Sequence, residues 1–195
     1  MSSTASSLIL ASTSRYREAL LNRLALPFVT MASEADETAV DGETSRDLAC
    51  RLARAKAQLV WALHPAAVVI GSDQVADLDG KRLGKPGTAD RAEQQLQACS
   101  GRTVAFYTAV CVLAPDGGQR DHLDITEVNF RDLDPDEIRR YVATEKPLDC
   151  AGAFKAEALG ISLFRSISSQ DPTALTGLPL IWLSQCLRDL GFPNP

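Results

Sequence analysis

The chain has 195 residues, 45% apolar and 23% charged, with a net charge of −5. That size suits one domain or two closely packed lobes with no accessory module, and the acidic balance argues against a nucleic-acid polymer as partner, since such binding draws on a basic face. Five scattered cysteines (Cys50, Cys99, Cys111, Cys150, Cys186) without a C-x-x-C pair argue against a disulfide framework or a zinc site, and read as small buried hydrophobes in a reducing compartment.

The opening MSSTASSLILAS has no basic n-region, and its apolar run is too short for a secretory signal. No apolar stretch approaches the roughly 20 residues that cross a bilayer, so no membrane is expected and the cytoplasm is the expected compartment. Leu8-Ile9-Leu10-Ala11 is fully apolar and reads as a buried strand. It breaks at Ser12-Thr13-Ser14, whose hydroxyls can cap a helix carrying Ala19, Leu20, Leu21 and Leu24. Phe28 to Met31 forms a second strand. After the acidic segment Glu34 to Glu43, Ser45 can cap a long helix with Leu48, Leu52, Ala55, Leu59 and Leu63 at helical spacing, ended by His64-Pro65.

Ala66 to Ile70 reads as another buried strand, stopped by Gly71-Ser72-Asp73-Gln74. Asp79-Gly80 marks a hairpin turn, and Thr88 to Cys99 is helical. Thr103 to Leu113 and Leu123 to Phe130 are strands joined through Pro115-Asp116-Gly117-Gly118. Asp134-Pro135-Asp136-Glu137 opens a helix with a cap, an N1 proline and first-turn acids. Ile161 to Ile167 is a strand, and a last amphipathic helix runs from Leu180 to Leu190 and stops at Gly191. Interleaved helices and strands followed by a long antiparallel pair predict an α/β domain on a mixed sheet.

Histidine is nearly absent, and neither His64 nor His122 stands in a nucleophile-elbow context, which argues against triad hydrolysis. P-loop and Rossmann glycine signatures are missing. What remains is carboxylates and cations at loop positions. Ser12-Thr13-Ser14-Arg15-Tyr16-Arg17 joins a strand to a helix N-terminus, a place for a phosphate or simply a cap with solvated arginines. Asp73 with Gln74 ends the most apolar strand; a carboxylate there serves as general base or Mg²⁺ ligand, or merely shapes a turn. Lys85 in Gly84-Lys85-Pro86-Gly87 is either a phosphate contact or an ordinary turn lysine. Glu34, Asp36 and Glu37 with Lys56, and Lys155 with Glu157, are weaker clusters of the same kind.

Taken together, L-I-L-A-S-T-S-R-Y-R, E-A-D-E-T, R-A-K-A, I-G-S-D-Q-V, D-G-x-x-x-G-K-P, S-G-R and C-A-G-A-F-K-A-E, in this order from Leu8 to the L-T-G-L-P-L segment at Leu175 to Leu180, resemble the Maf family of nucleoside triphosphate pyrophosphatases. The resemblance implies one Maf-like domain over residues 1–195, of the inosine-triphosphatase-like type: a mixed twisted sheet flanked by helices, with two lobes around a deep cleft. It further implies a divalent metal, Mg²⁺ or Mn²⁺, and a frequent homodimer. The family's catalytic aspartate falls on Asp73. Its phosphate-handling positions fall on Ser12, Arg17 and Lys85, with Glu37 and Lys56 also in the cleft, and Glu37 and Asp73 are the expected metal ligands.

The family's usual S-x-S-P-R-R departs here: Arg15 replaces the proline and Glu18 a basic residue, and by position Arg17 is the cation expected to face the triphosphate. Ser72-Asp73-Gln74, Glu157 and Tyr16 resemble the branch that acts on 7-methyl-GTP, whereas the dTTP and UTP branch carries Ala-Asp-Thr, Gln and Arg at these places. The chemistry agrees. A ring made cationic by N7 methylation is drawn to an aromatic face by about 0.5–2 kcal/mol, and a carboxylate accepts from both N1–H and the exocyclic amine of guanine. Tyr16, Gln74 and Glu157 are therefore the expected base-reading residues. The alternatives are the same reaction on dTTP or UTP, and a nucleotide-binding regulator of cell division without turnover.

Overall fold

The computed structural model describes residues 7–193; Met1–Ser6, part of the opening that reads as lacking a secretory signal, lie outside it. In chain order the elements are β1 (Leu8–Leu10), α1 (Arg15–Asn22), β2 (Val29–Thr30), α2 (Ser45–Leu63), β3 (Val68–Leu78), β4 (Lys81–Leu83), α3 (Ala89–Cys99), β5 (Thr103–Leu113), β6 (Gln119–Phe130), α4 (Pro135–Glu145), β7 (Phe164–Ser168) and α5 (Leu180–Asp189). The chain divides into two compact units, and β3, β5 and β6 each contribute residues to both. One unit holds the chain up to Gln74, Thr108–Asp124 and the chain from Asp171 onward; the other holds Val75–Tyr107 and Ile125–Gln170. Among the described residues no helix is long and apolar enough to cross a membrane.

In the first unit β1 pairs in parallel with β2 and β3, Leu8 to Leu10 lying against Val68 to Ile70. Alternate residues serve two cores. Leu8, Leu10, Val68 and Ile70 pack with Leu20 and Leu21 of α1 and with Leu183 and Leu187 of α5. Ile9 and Val69 pack the other way, with Val60 of α2. A strand covered on both faces has no polar side, which is why Leu8 to Ala11 is apolar throughout.

Two expectations change here. The strand does not stop at Gly71-Ser72-Asp73-Gln74; β3 continues to Leu78. Gly71 is not a turn residue but a point of close approach: a Cβ there would meet the Ala53 carbonyl and stand 2.5 Å from the Ala57 nitrogen of α2. Gly71→Ala is therefore expected to cost about 1–3 kcal/mol through overpacking. Urea denaturation reads this directly, and a wild-type midpoint would refute the close packing. The second change concerns α2. Its buried side is Leu48, Ala49, Leu52, Ala53, Lys56, Ala57 and Val60, whereas Leu59 and Leu63 are exposed. The true stripe contains a lysine, and Thr44 rather than Ser45 is its cap.

The second unit has an aromatic centre. Phe154 meets Phe106, Phe130 and Phe164 edge-on, with ring centroids 5.4, 5.6 and 4.8 Å apart. Each such pair adds about 0.5–1.5 kcal/mol beyond burial. Asp79 and Gly80, both at positive φ, turn β3 back into antiparallel β4 as expected. The predicted strand from Ile161 starts late: Leu159–Leu163 is 3-10 helix, and β7 pairs antiparallel with β6 from Phe164 onward. The run offers Gly160 and Ser162 between its apolar residues, so its pattern alone did not separate a short helical turn from a strand.

Candidate active site

The first unit assembles a charged group at β3 and α2. Asp73 lies within β3, and the close approach at Gly71 brings the buried face of α2 against that strand. Lys56, four residues after Leu52 on that face, donates from Nζ to Asp73 Oδ1 at 2.6 Å. The same Nζ stands 2.6 Å from Glu37 Oε1, so one ammonium bridges two carboxylates. Lys56 and Asp73 are buried, while the Glu37 side chain is 63% exposed.

Burial pushes the Asp73 carboxyl above its ordinary range, against the opposite pull of Lys56 and Arg17. Burial likewise draws the Arg17 guanidinium below its ordinary value, while Asp73 and Glu37 pull it up. The acid is thus poised closer to neutral pH, as a proton acceptor requires.

At the start of α1, Ser14 caps the helix and accepts from the Arg17 backbone nitrogen. Buried Ser12 accepts from the Ser14 nitrogen at 3.1 Å and from Arg17 Nη1 at 3.4 Å. Arg17 Nε donates to the Gly177 carbonyl at 3.2 Å. Arg15 takes a different course: its guanidinium lies over the Tyr16 ring at 4.9 Å and donates to the Tyr16 hydroxyl. The structure thus turns Arg17 inward to Ser12 and leaves Arg15 exposed on Tyr16. A ring that holds a guanidinium is suited to a cationic base.

Ser12, Arg17, Glu37, Lys56 and Asp73 are brought together by direct contacts or, for Arg17 with the two acids, by electrostatic influence. Gln74 differs. Its amide nitrogen is directed at Thr108 Oγ, Ala174 O and Leu175 O, all within 3.0 Å, so its N–H groups are committed to the fold and only its oxygen remains for recognition. In the second unit, Lys85 and Glu157 are exposed. Lys155 pairs with Glu145 at 3.1 Å rather than with Glu157. Among the described residues, neither the Lys85 ammonium nor the Glu157 carboxylate makes a hydrogen bond or ion pair.

Sequence reasoning had Ser72 only as part of a branch motif and did not single out Gly177. Ser72 Oγ donates to the Gly177 carbonyl at 2.9 Å, beside the bond from Arg17. The sign of a site that was legible, once the helix phase is known, is a lysine on the buried stripe Leu48, Leu52, Lys56, Val60. Among the described residues, no group of three His, Cys, Asp or Glu side chains is placed to hold a metal. Asp73 and Glu37 nevertheless offer hard oxygen donors around one shared cation, and Mg²⁺ is commonly held by one or two carboxylates completed by substrate phosphates. The donor set fits such an ion.

The family model described as Maf-like protein matches residues 7–190 of the chain. A 7-methyl-GTP pyrophosphatase of Xanthomonas campestris pv. campestris (strain 8004) is 57% identical over 188 residues, covering 96% of this chain and 98% of its own. One of Aromatoleum aromaticum (strain DSM 19018 / LMG 30748 / EbN1) is 54% identical over 191 residues, covering 97% and 98%. Among solved structures, the Staphylococcus aureus Ham1 protein aligns with a TM-score of 0.47 at 14% identity, over 65% of this chain and 72% of that one.

Proposed function

The chain belongs to the Maf family, and from that premise we propose that it hydrolyses the α–β phosphoanhydride of 7-methyl-GTP, releasing 7-methyl-GMP and pyrophosphate. The observation that carries this reading is the buried Asp73–Lys56 pair beside Arg17, in a chain 57% identical to a 7-methyl-GTP pyrophosphatase. Ser12, Arg17 and Lys56 supply a hydroxyl and two cations to the polyphosphate. Asp73 takes the proton of a water whose oxygen bonds to the α-phosphorus, as the bond from that phosphorus to the bridging oxygen breaks. The cations stabilise charge growing on the departing pyrophosphate. Glu37 and Asp73 would hold Mg²⁺ or Mn²⁺, which when bound neutralises phosphate charge and serves as a template.

The phosphate role of Lys85 and the guanine-reading role of Glu157 rest on the family resemblance, and among the described residues neither side chain makes a competing hydrogen bond or ion pair. The Tyr16 ring, already stacked with a guanidinium, is the face proposed for the methylated base. The five free cysteines agree with activity in the cytoplasm.

The test is a substrate panel of 7-methyl-GTP, GTP, dTTP and UTP with pyrophosphate detection, at saturating Mg²⁺ or Mn²⁺. The highest kcat/KM is expected for 7-methyl-GTP. A pyrimidine preference would refute the role of Glu157, and stoichiometric binding with no pyrophosphate would support a non-catalytic regulator instead. Glu157→Gln is expected to lower discrimination for the guanine base by about 1–3 kcal/mol, on the order of 10- to 100-fold in relative kcat/KM. Equal ratios in variant and wild type would count against it.

A further inference from the structure

We infer that the segment Asp171–Gly177 is a positioning element of the reaction, which sets the Arg17 guanidinium relative to Asp73 through the Gly177 carbonyl. This rests on the reading that Arg17 serves the triphosphate. The segment is held at its base by buried Asp171. Oδ1 of Asp171 accepts from the Thr173 nitrogen at 2.9 Å and lies 2.6 Å from Thr173 Oγ, while Oδ2 accepts from the Ile181 nitrogen at 2.6 Å. The Asp171 nitrogen donates to buried Asp124 at 3.2 Å. Thr173 Oγ closes the loop, accepting from the Leu180 nitrogen at 2.9 Å.

A 3-10 turn, Ala174–Thr176, and Gly177 directly after it then present three carbonyls to the site. Ala174 O accepts from Thr108 and Gln74, and Leu175 O lies within reach of the same Gln74 amide. Gly177 O accepts from both Ser72 Oγ and Arg17 Nε. One carbonyl thereby ties the residue next to Asp73 to the cation opposite it. A chain of short bonds from a buried carboxylate leaves that carbonyl little freedom.

Gly177 itself is constrained from two sides. Its φ of +122° is disfavoured for any side chain, and a Cβ would stand 3.3 Å from Arg17 Cγ and 3.4 Å from Arg17 Nε. The aliphatic stem of Arg17 runs across the space a Cβ would fill. Substitution at Gly177 therefore strains the backbone and pushes on that stem.

The experiment is a double-mutant cycle on kcat/KM for 7-methyl-GTP, read by pyrophosphate release, with wild type, Arg17→Ala, Gly177→Ala and the double variant. Gly177→Ala is expected to lower kcat/KM by about 10-fold, since the strained φ and a shift of a few tenths of an ångström in the Arg17 stem both move the guanidinium from its place. In the Arg17→Ala background the same change is expected to cost less than about twofold, because contacting residues that act together are non-additive. An equal factor with and without Arg17 would overturn the inference. If Gly177→Ala fails to melt cooperatively, Ser72→Ala removes the other donor to the same carbonyl at negative φ; a loss confined to the Arg17 background supports the inference and an equal loss in both overturns it. Wild-type activity in Arg17→Ala alone would defeat the phosphate role of Arg17 itself, an outcome visible before any Gly177 variant is made.

Discussion

Asp73→Asn will slow pyrophosphate release by about 10²–10⁴-fold without lowering the melting temperature. The rate falls because an amide cannot accept the proton of the attacking water. The stability holds because burial raises the Asp73 pKa despite Lys56 and Arg17, so the charged form is disfavoured on folding. A raised folded-state pKa contributes stability below the unfolded value and loses it as pH rises through the folded one. At neutral pH the wild type therefore carries the cost of a buried charge that asparagine lacks, and Lys56 keeps Glu37 as partner. The same shift predicts that, in the metal-free protein, Asp73 takes up its proton above the ordinary aspartate range. Steady-state rates with metal saturating, paired with thermal melts, decide both halves. A variant that turns over normally removes Asp73 from the chemistry, and one that melts far below wild type refutes the argument from burial.

Lys56→Met has the opposite stability signature. It leaves the buried Asp73 carboxylate without the ammonium at 2.6 Å, and breaking a buried pair from one side costs about 3–5 kcal/mol. Because Lys56 pulls the Asp73 pKa down, its removal pushes that pKa higher still. Asp73 then protonates at less acidic pH, which relieves the uncompensated charge. The destabilisation of the metal-free protein relative to wild type should accordingly shrink as pH is lowered. Urea titrations without metal, at neutral pH and near pH 5, test this. A deficit independent of pH would mean that the lysine stem, rather than its charge, supports the fold. On the proposed phosphate role of Lys56, loss of its cation is also expected to lower kcat/KM.

Much of the architecture was legible from residues alone because its cause is local. The apolar run Leu8 to Ala11, the Asp79-Gly80 turn, and the cap and N1 proline at Asp134-Pro135 act within a few residues, and the corresponding elements stand where they were expected. The order of charged motifs carried the family, which the match over residues 7–190 shows. The phase of α2 and the length of β3 were not legible. Both are set by the close approach of Gly71 to Ala53 and Ala57, a contact between segments far apart in the chain. That same approach places Lys56 on Asp73.

What the sequence by itself determined is the kind of chemistry: which acids and cations are present, and that no histidine or glycine-rich signature offers an alternative. Only the tertiary structure decided how some of them are used. It turned Arg17 rather than Arg15 inward, committed the Gln74 amide to carbonyls 100 and 101 residues away, and made a glycine carbonyl the common support of Ser72 and Arg17. The reason is range. Caps, turns and strand patterns follow from neighbours along the chain, but the direction of a guanidinium or an amide is set by whichever buried acceptor the fold brings near, and burial makes leaving that acceptor unpaired costly.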